Sequence, residues 1–298
     1  MTAVARAAPA RPPRPSTRNR WLATTAVLAL VVWAMATAEI DLERIASLPE
    51  GIGLLFYRMF LETGPEWSYL PDAVQGMLQS IQIAWIGTII GAVISLPLGL
   101  LGARNVSGIL GSNVMRQILN AIRAVPEVIL AVVVFIPMVG IGGAASAYAG
   151  TLAIGVHSIG TLGKLTAEVV EGIDPGPVEA ARAAGGNTVQ EQRWGVIPQV
   201  MPDIIAFWLY RFEINIRASA ILGVVGAGGI GTSLEQAMTF SRFPRAGVII
   251  IVIIVATILV DTASGWLRRR IIEGGAGRVE EVEITGMSSP LRMDGDAG

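Results

Sequence analysis

Cysteine is absent from the 298-residue chain and histidine occurs once. The first absence excludes disulfides, thiolate nucleophiles and cysteine metal sites together, and leaves the redox compartment open. The second leaves little for metal chemistry, which relies on imidazole once thiolates are gone. Charge is also scarce, at 15% of residues, against about a quarter in soluble domains. The net charge is -1 and the pI near 6.0, so the basic excess of a nucleic-acid binder is missing and no nucleic-acid partner is expected. What fills the chain is apolar, with 52% hydrophobic residues and a mean hydropathy of +0.59. That composition belongs to a protein of the lipid bilayer.

A hydrocarbon core about 30 Å thick requires about 20 mainly apolar helical residues per crossing. Six such runs predict an all-α, polytopic protein with six transmembrane helices: 21–38, 77–102, 125–141, 148–170, one from about Ile204 to Val225, and 248–260 with flanks to Ala246 and Leu267. The fourth carries Lys164 and Glu168 in its last turns, which are expected to project into water. Arginine sets the orientation, because cytoplasmic loops near spans accumulate it. Arg104, Arg116, Arg123, Arg182, Arg193 and Arg268 to Arg270 fall on the same side as the arginine-rich N-terminus, whereas the opposite first loop is acidic. Both termini are thus predicted cytoplasmic, in a multi-pass protein of the inner or plasma membrane. Ala36-Thr37-Ala38 resembles a signal-peptide cleavage site, but the apolar run before it exceeds the usual core of about 7–15 residues and is read as a retained span. The expected organisation is a disordered basic segment 1–20, the first span 21–38, an extracytoplasmic loop 39–76, a transmembrane domain 77–270 and a disordered cytoplasmic tail 271–298.

Between Asp174 and Asp203 the chain is too polar for lipid yet ordered in its signals. Pro177 can open a helix, since its missing N–H has no partner there anyway, and Val178 to Ala184 contains four alanines, strong helix formers. Gly185-Gly186 supplies a left-handed stop. Thr188 with Glu191 predicts a capping box for a second short helix, and Pro198 and Pro202 are expected to break the chain before span five. Glu179-Ala180-Ala181, then Gly185, then Ile197-Pro198 resemble the EAA motif of ABC-importer permeases. The resemblance implies a coupling element that docks on a separate ATP-binding subunit. Gly195 stands where that family often has a bulky aliphatic residue, which is expected to weaken one packing contact.

Span five is interrupted by Arg211, Glu213, Asn215 and Arg217. Intramembrane charges cost about 2.5 to 3.5 kcal/mol each on insertion scales and so face a cavity or a partner. Glu213 and Arg217, four apart with the acid first, are placed to pair. Arg217 is also suited to bidentate contact with phosphoryl or carboxylate oxygens. The following Gly226, Gly228, Gly229 and Gly231 match a dinucleotide fingerprint only formally, because no strand precedes and no βαβ unit surrounds them. A glycine break at the end of a span suits a gate or pathway wall. With the stretch Arg211 to Arg217, this run resembles the phosphonate-type branch of the same permease family, over about residues 70 to 270. That resemblance implies a MetI-like fold, a permease homodimer, two ATP-binding cassette subunits and an extracytoplasmic binding protein delivering phosphonate or phosphate. It implies alternating access with no catalysis and no cofactor in this chain, ATP and Mg being bound by the partner ATPase. Consistently, no phosphate-binding G-x-x-x-x-G-K-[ST] loop occurs.

Other readings are weaker. An ion-coupled secondary transporter should show internal repeats and paired broken helices, and neither is visible. A permease for another small anionic solute stays open. His157 and Ser158 cannot form a protease pair, since neighbouring helical residues point about 100° apart; an interhelical hydrogen bond is expected for the histidine. Gly87 and Gly91 form a small-xxx-small pair for close packing within the chain or between copies.

Overall fold

A computed structural model describes residues 17–37, 42–140 and 143–287, in two compact units divided between Phe56 and Tyr57. The first unit contains α1 (Thr17–Thr37) and α2 (Leu42–Phe56). Within α1, Arg20–Thr37 is apolar enough to cross a bilayer and buries none of its side chains in the protein.

The second unit holds everything else. After a π turn (Tyr57–Leu61) and a 3-10 turn (Trp67–Tyr69) come α3 (Leu70–Gly102), α4 (Arg104–Ala124), α5 (Glu127–Ile129), a π turn (Leu130–Phe135) and α6 (Ile136–Val139). Then follow α7 (Gly143–Glu171), α8 (Gly176–Ala183), α9 (Thr188–Gln190), a π turn (Glu191–Val196), α10 (Ile197–Val224), α11 (Ile230–Thr239) and α12 (Phe243–Met287). No strand occurs among the described residues.

The framework is a parallel pair, α3 and α7, joined by glycine. A Cβ placed on Gly87 would lie 2.8 Å from Ile154, one on Gly91 2.5 Å from Ser158, and one on Gly99 2.5 Å from Thr166. Only the missing side chains let the two backbones approach this closely. The Gly87 and Gly91 pair is therefore used for packing inside the chain. Because α3 and α7 run the same way, the chain must return between them. It does so through α4 and α5–α6, which bend by 72° around Val125-Pro126. Leu119 of α4 is fully buried against Gly163.

The span count differs from expectation. Among the described residues three helices are long and apolar enough to cross a membrane, namely those holding Arg20–Thr37, Trp67–Gly102 and Phe243–Ile271, with a fourth span if the bent pair is taken as one. Helices α7 and α10, at 29 and 28 residues, are long enough at about 1.5 Å per residue. They carry several charged residues, among them Lys164, Glu168, Arg211, Glu213 and Arg217, so composition alone does not single them out. The third expected span, 125–141, is the second limb of the broken segment, and α4, which falls between the expected spans, is its first limb. The 3-10 turn and α3 begin the second span at Trp67–Leu70 and not at 77, and α12 runs on to Met287, past the boundary drawn at 270. Residues 1–16, 38–41, 141–142 and 288–298, with the ends of the proposed disordered segments, lie outside the described residues.

Candidate functional site

The polar hairpin between α7 and α10 folds as two helices around a glycine turn. Pro177 sits in the first turn of α8, and Gly185 ends it with φ +81°. The capping box is one residue earlier than expected. Asn187, extended at ψ 170°, accepts from the Gln190 backbone N–H, while Gln190 reaches back to the Asn187 N–H. Thr188 is already helical, and Glu191 is engaged elsewhere: Arg182 Nε and Nη2 donate to its two oxygens at 3.0 Å each. That hydrogen bond holds the Glu191 carboxyl below its ordinary range. Pro198 and Pro202 do not break the chain: Pro198 lies in the first turn of α10, where a missing N–H is tolerated, and the helix continues through Pro202 in its interior.

Gly195 also departs from expectation. A side chain there would put its Cβ 2.8 Å from Val178 Cα and 2.9 Å from Val178 Cγ2. Glycine thus seats α8 against the π turn; it does not loosen a contact. Gln199 locks the base by donating to the carbonyls of Asp174 (3.1 Å) and Gly195 (2.6 Å). Below it, Ala103, Val170, Val196, Val200 and Ile204 form a buried cluster with Val178 packed against it. Glu171, at the end of α7, accepts from the Arg104 N–H at 2.8 Å and pairs with Arg116 at 2.6 Å. Of the motif residues, Glu179, Ala180, Gly185 and Pro198 are exposed, while Ala181 and Ile197 are half-buried.

The four polar residues of α10 separate onto two faces. Arg211 and Asn215, one turn apart, point between α3 and α7. Asn215 is fully buried, donating to Thr88 Oγ1 (2.9 Å) and Ser158 Oγ (3.1 Å), with its Oδ1 unpartnered. Arg211, 9% exposed, donates through Nε to the same Ser158 oxygen at 3.1 Å and makes no ion pair among the described residues. Glu213 and Arg217 face α12. Arg217 bonds Glu213 at 2.8 Å as expected, and also Asp261 at 2.8 and 2.9 Å. With two carboxylates in place, Arg217 needs no visiting anion to explain it; Arg211 does not have that explanation. His157 makes the expected interhelical bond, from Nδ1 to the Val125 carbonyl at 3.1 Å.

At the end of the bundle away from the hairpin, a cleft of about 840 Å³ opens between α3, the glycine turn and α11. Gly226, Gly228 and Gly229 line it with φ between +80° and +88°. Gly231 does not; it is buried where a side chain would collide with the Ala220 carbonyl.

Residues 95–273, more than half the chain, match the family described as "Binding-protein-dependent transport system inner membrane component". The chain belongs to this family. The permease is 43% identical over 202 residues to the phosphate-import permease protein PhnE of Mycolicibacterium smegmatis, covering 67% of this chain and 37% of that one. It is 39% identical over 206 residues to the phosphite transport system permease protein PtxC of Stutzerimonas stutzeri, covering 69% and 73%. The match thus spans little more than a third of the mycobacterial relative. Among solved structures, the MetNI methionine ABC transporter superposes with a TM-score of 0.59 at 22% identity, over 69% of this chain and 97% of that one. An amino acid ABC transporter gives 0.55 at 22%, over 68% and 95%. These likenesses establish the all-helical, MetI-like membrane fold of the permease.

Sequence reasoning missed three parts of the site. Asp261 is a lone acid in the flank of the expected sixth span, just past Val260, and nothing beside it in sequence marks it as a partner of Arg217. Thr88 and Ser158 look unremarkable as single residues; only the α3–α7 crossing makes them partners of Asn215. Gln75, Gln79 and Gln82 recur at helical spacing along α3 and were legible as a polar stripe.

Proposed function

We propose that this permease is the membrane-spanning subunit of an ATP-driven importer for phosphonate or a related phosphorus oxyanion such as phosphate or phosphite. The observation that carries the solute class is the similarity, near 40% identity over two thirds of the chain, to permeases named for phosphate and phosphite. Arg211 supports it, because a buried guanidinium without a carboxylate partner suits an oxyanion contact.

In this reading six segments cross the membrane: α1, α3, the bent α4–α6, α7, α10 and α12. Both termini and the hairpin are cytoplasmic. Two copies of the permease enclose the pathway, and an extracytoplasmic binding protein delivers the solute. Two ATP-binding cassette subunits hold ATP and Mg and grip the exposed surface of Glu179, Ala180, Gly185 and Pro198. Their closure pushes through the hairpin on α7 and α10, switching access from one side to the other. Arg211 and Asn215 mark the pathway face of α10, and Gly226, Gly228 and Gly229 form its wall at the far end. The Glu213, Arg217 and Asp261 cluster ties α10 to α12 as they move.

The test is ATPase stimulation of the reconstituted complex by its binding protein, loaded in turn with methylphosphonate, phosphite, phosphate or sulfate. Stimulation by the phosphorus anions over sulfate supports the reading. Equal or stronger stimulation by sulfate would reassign the solute to another anion class.

A further inference from the structure

Asp72, Gln75, Gln79 and Gln82 follow one another at spacings of three and four, so they share one face of α3. Gln75 and Gln82 are exposed on the single chain and Gln79 is half-buried, yet α3 is one of the helices apolar enough to cross a bilayer. An amide left without a partner in hydrocarbon costs about 2–7 kcal/mol, so this stripe does not face lipid. It faces the 840 Å³ cleft, closed on its other sides by the glycine turn and by Thr232, Ser233 and Gln236 of α11.

The cleft presents donors. Gln79 Oε1 accepts the backbone N–H of Gly229 at 3.2 Å, so the carbonyl end of that amide is occupied and its NH2 end has no partner among the described residues. Beyond the mouth, where Tyr69 and Asp72 stand, a smaller cavity contains Arg242 and Arg245. Arg245 is neutralised by Glu66 at 2.8 Å, whereas Arg242 makes no ion pair among the described residues.

We propose that this cleft is a transit site for the oxyanion head of the solute, held by neutral amide donors of Gln75, Gln79, Gln82 and Gln236, with room for an organic substituent. The proposal rests on the phosphorus-oxyanion reading above. Its physical sense lies in the missing cation. Conduction needs a site favourable enough to enter and weak enough to leave. Amide N–H groups supply direction without the Coulomb well of a guanidinium, so a solute released at the rim near Arg242 is passed inward and not trapped.

The absence of cysteine makes the test direct, because Gln75→Cys and Gln82→Cys each carry the sole thiol of the chain. In membranes holding the assembled transporter, each thiol is labelled with an impermeant anionic methanethiosulfonate, with and without inorganic phosphate or methylphosphonate at matched ionic strength. Both thiols should react, and saturating phosphate should slow Gln82→Cys at least threefold. An unreactive thiol would mean that lipid or the second copy seals this face, and a reactive thiol indifferent to phosphate and methylphosphonate would mean water without a site; either overturns the proposal. Protection by sulfate alone, with unmodified transporter taking up no phosphorus anion, would retain the vestibule and reject the solute class. In parallel, Gln79→Glu keeps an acceptor for the Gly229 N–H but adds a like charge, and should cut uptake by roughly tenfold or more at equal amounts of inserted protein. Unchanged uptake in that variant would also count against the proposal.

Discussion

Replacing Gly195 by alanine adds one methyl group where α8 lies on the π turn. That methyl would stand 2.8 Å from Val178 Cα, 2.9 Å from Val178 Cγ2 and 3.1 Å from Val178 N, against an ordinary contact of 3.4–4 Å. Two of the three are backbone atoms, so no side-chain rotation relieves them, and α8 must retreat by at least about 0.6 Å. Overpacking of this kind costs about 1–3 kcal/mol, offset by roughly 0.4–1 kcal/mol from the smaller conformational entropy of unfolded alanine. The net loss, about 0.5–2 kcal/mol, should fall on the hairpin alone, since none of these atoms belongs to α3, α7 or α12. Hydrogen exchange of peptides spanning 176–198 should therefore accelerate by roughly 2- to 30-fold, at about 1.4 kcal/mol per factor of ten, while α3 and α7 stay protected. Stimulation of the ATPase should fall in the same variant. Exchange and stimulation indistinguishable from the parent would refute the claim that glycine is required for this close approach.

At Gly185 the strain is of another kind: φ is +81° and a Cβ would meet nothing within 4 Å. Gly185→Val should cost about 1–3 kcal/mol through backbone conformation alone and weaken docking of the ATPase without reducing membrane insertion; parental uptake and ATPase stimulation would remove the turn from the mechanism. Arg217→Gln should lower the amount of folded transporter, because it leaves Asp261 unpaired and Glu213 with only Arg268 at 4.0 Å, and adding Glu213→Gln with Asp261→Asn should restore folding and near-normal uptake. If the neutral triple variant folds but transports tenfold more slowly or worse, Arg217 contacts the solute after all. The carboxyl of Glu191 is held below its ordinary range by Arg182, so its stabilisation is present above that range and is lost as the pH falls through the lowered value. Exchange in the hairpin, corrected for intrinsic rates, should rise on acidification into that window, and Arg182→Leu should flatten the dependence.

Much of this molecule is legible in its sequence because lipid imposes a simple grammar. The apolar runs, the proline-opened α8, the glycine stop at Gly185 and the pairing of Glu213 with Arg217 all follow from local chemistry. What was misread depended on contacts between distant segments. Asn187 and not Thr188 caps α9, since Glu191 is drawn away to Arg182. Gly195 looked like a weakness until Val178 was seen against it. Helix α4, with its arginines and asparagines, reads as loop, yet Leu119 buries it against α7. Arg217 seemed to want a ligand because Asp261, 44 positions later, was invisible as its partner. The same crossing of helices isolates Arg211, which local sequence treats no differently.

The central claim is that this chain carries a phosphorus oxyanion across a membrane with ATP spent by other subunits. It is tested most directly by uptake of labelled phosphate and methylphosphonate into vesicles containing the permease, its ATP-binding subunits and its binding protein. Accumulation against a gradient should require ATP inside the assay on the cassette side, persist when proton and sodium gradients are collapsed, and fall at least tenfold in Arg211→Gln at equal assembly, as expected when a charge-assisted hydrogen bond of about 1.5–3 kcal/mol is lost. Uptake that continues without ATP and disappears with the ion gradients, or no uptake of any phosphorus anion, would contradict the account.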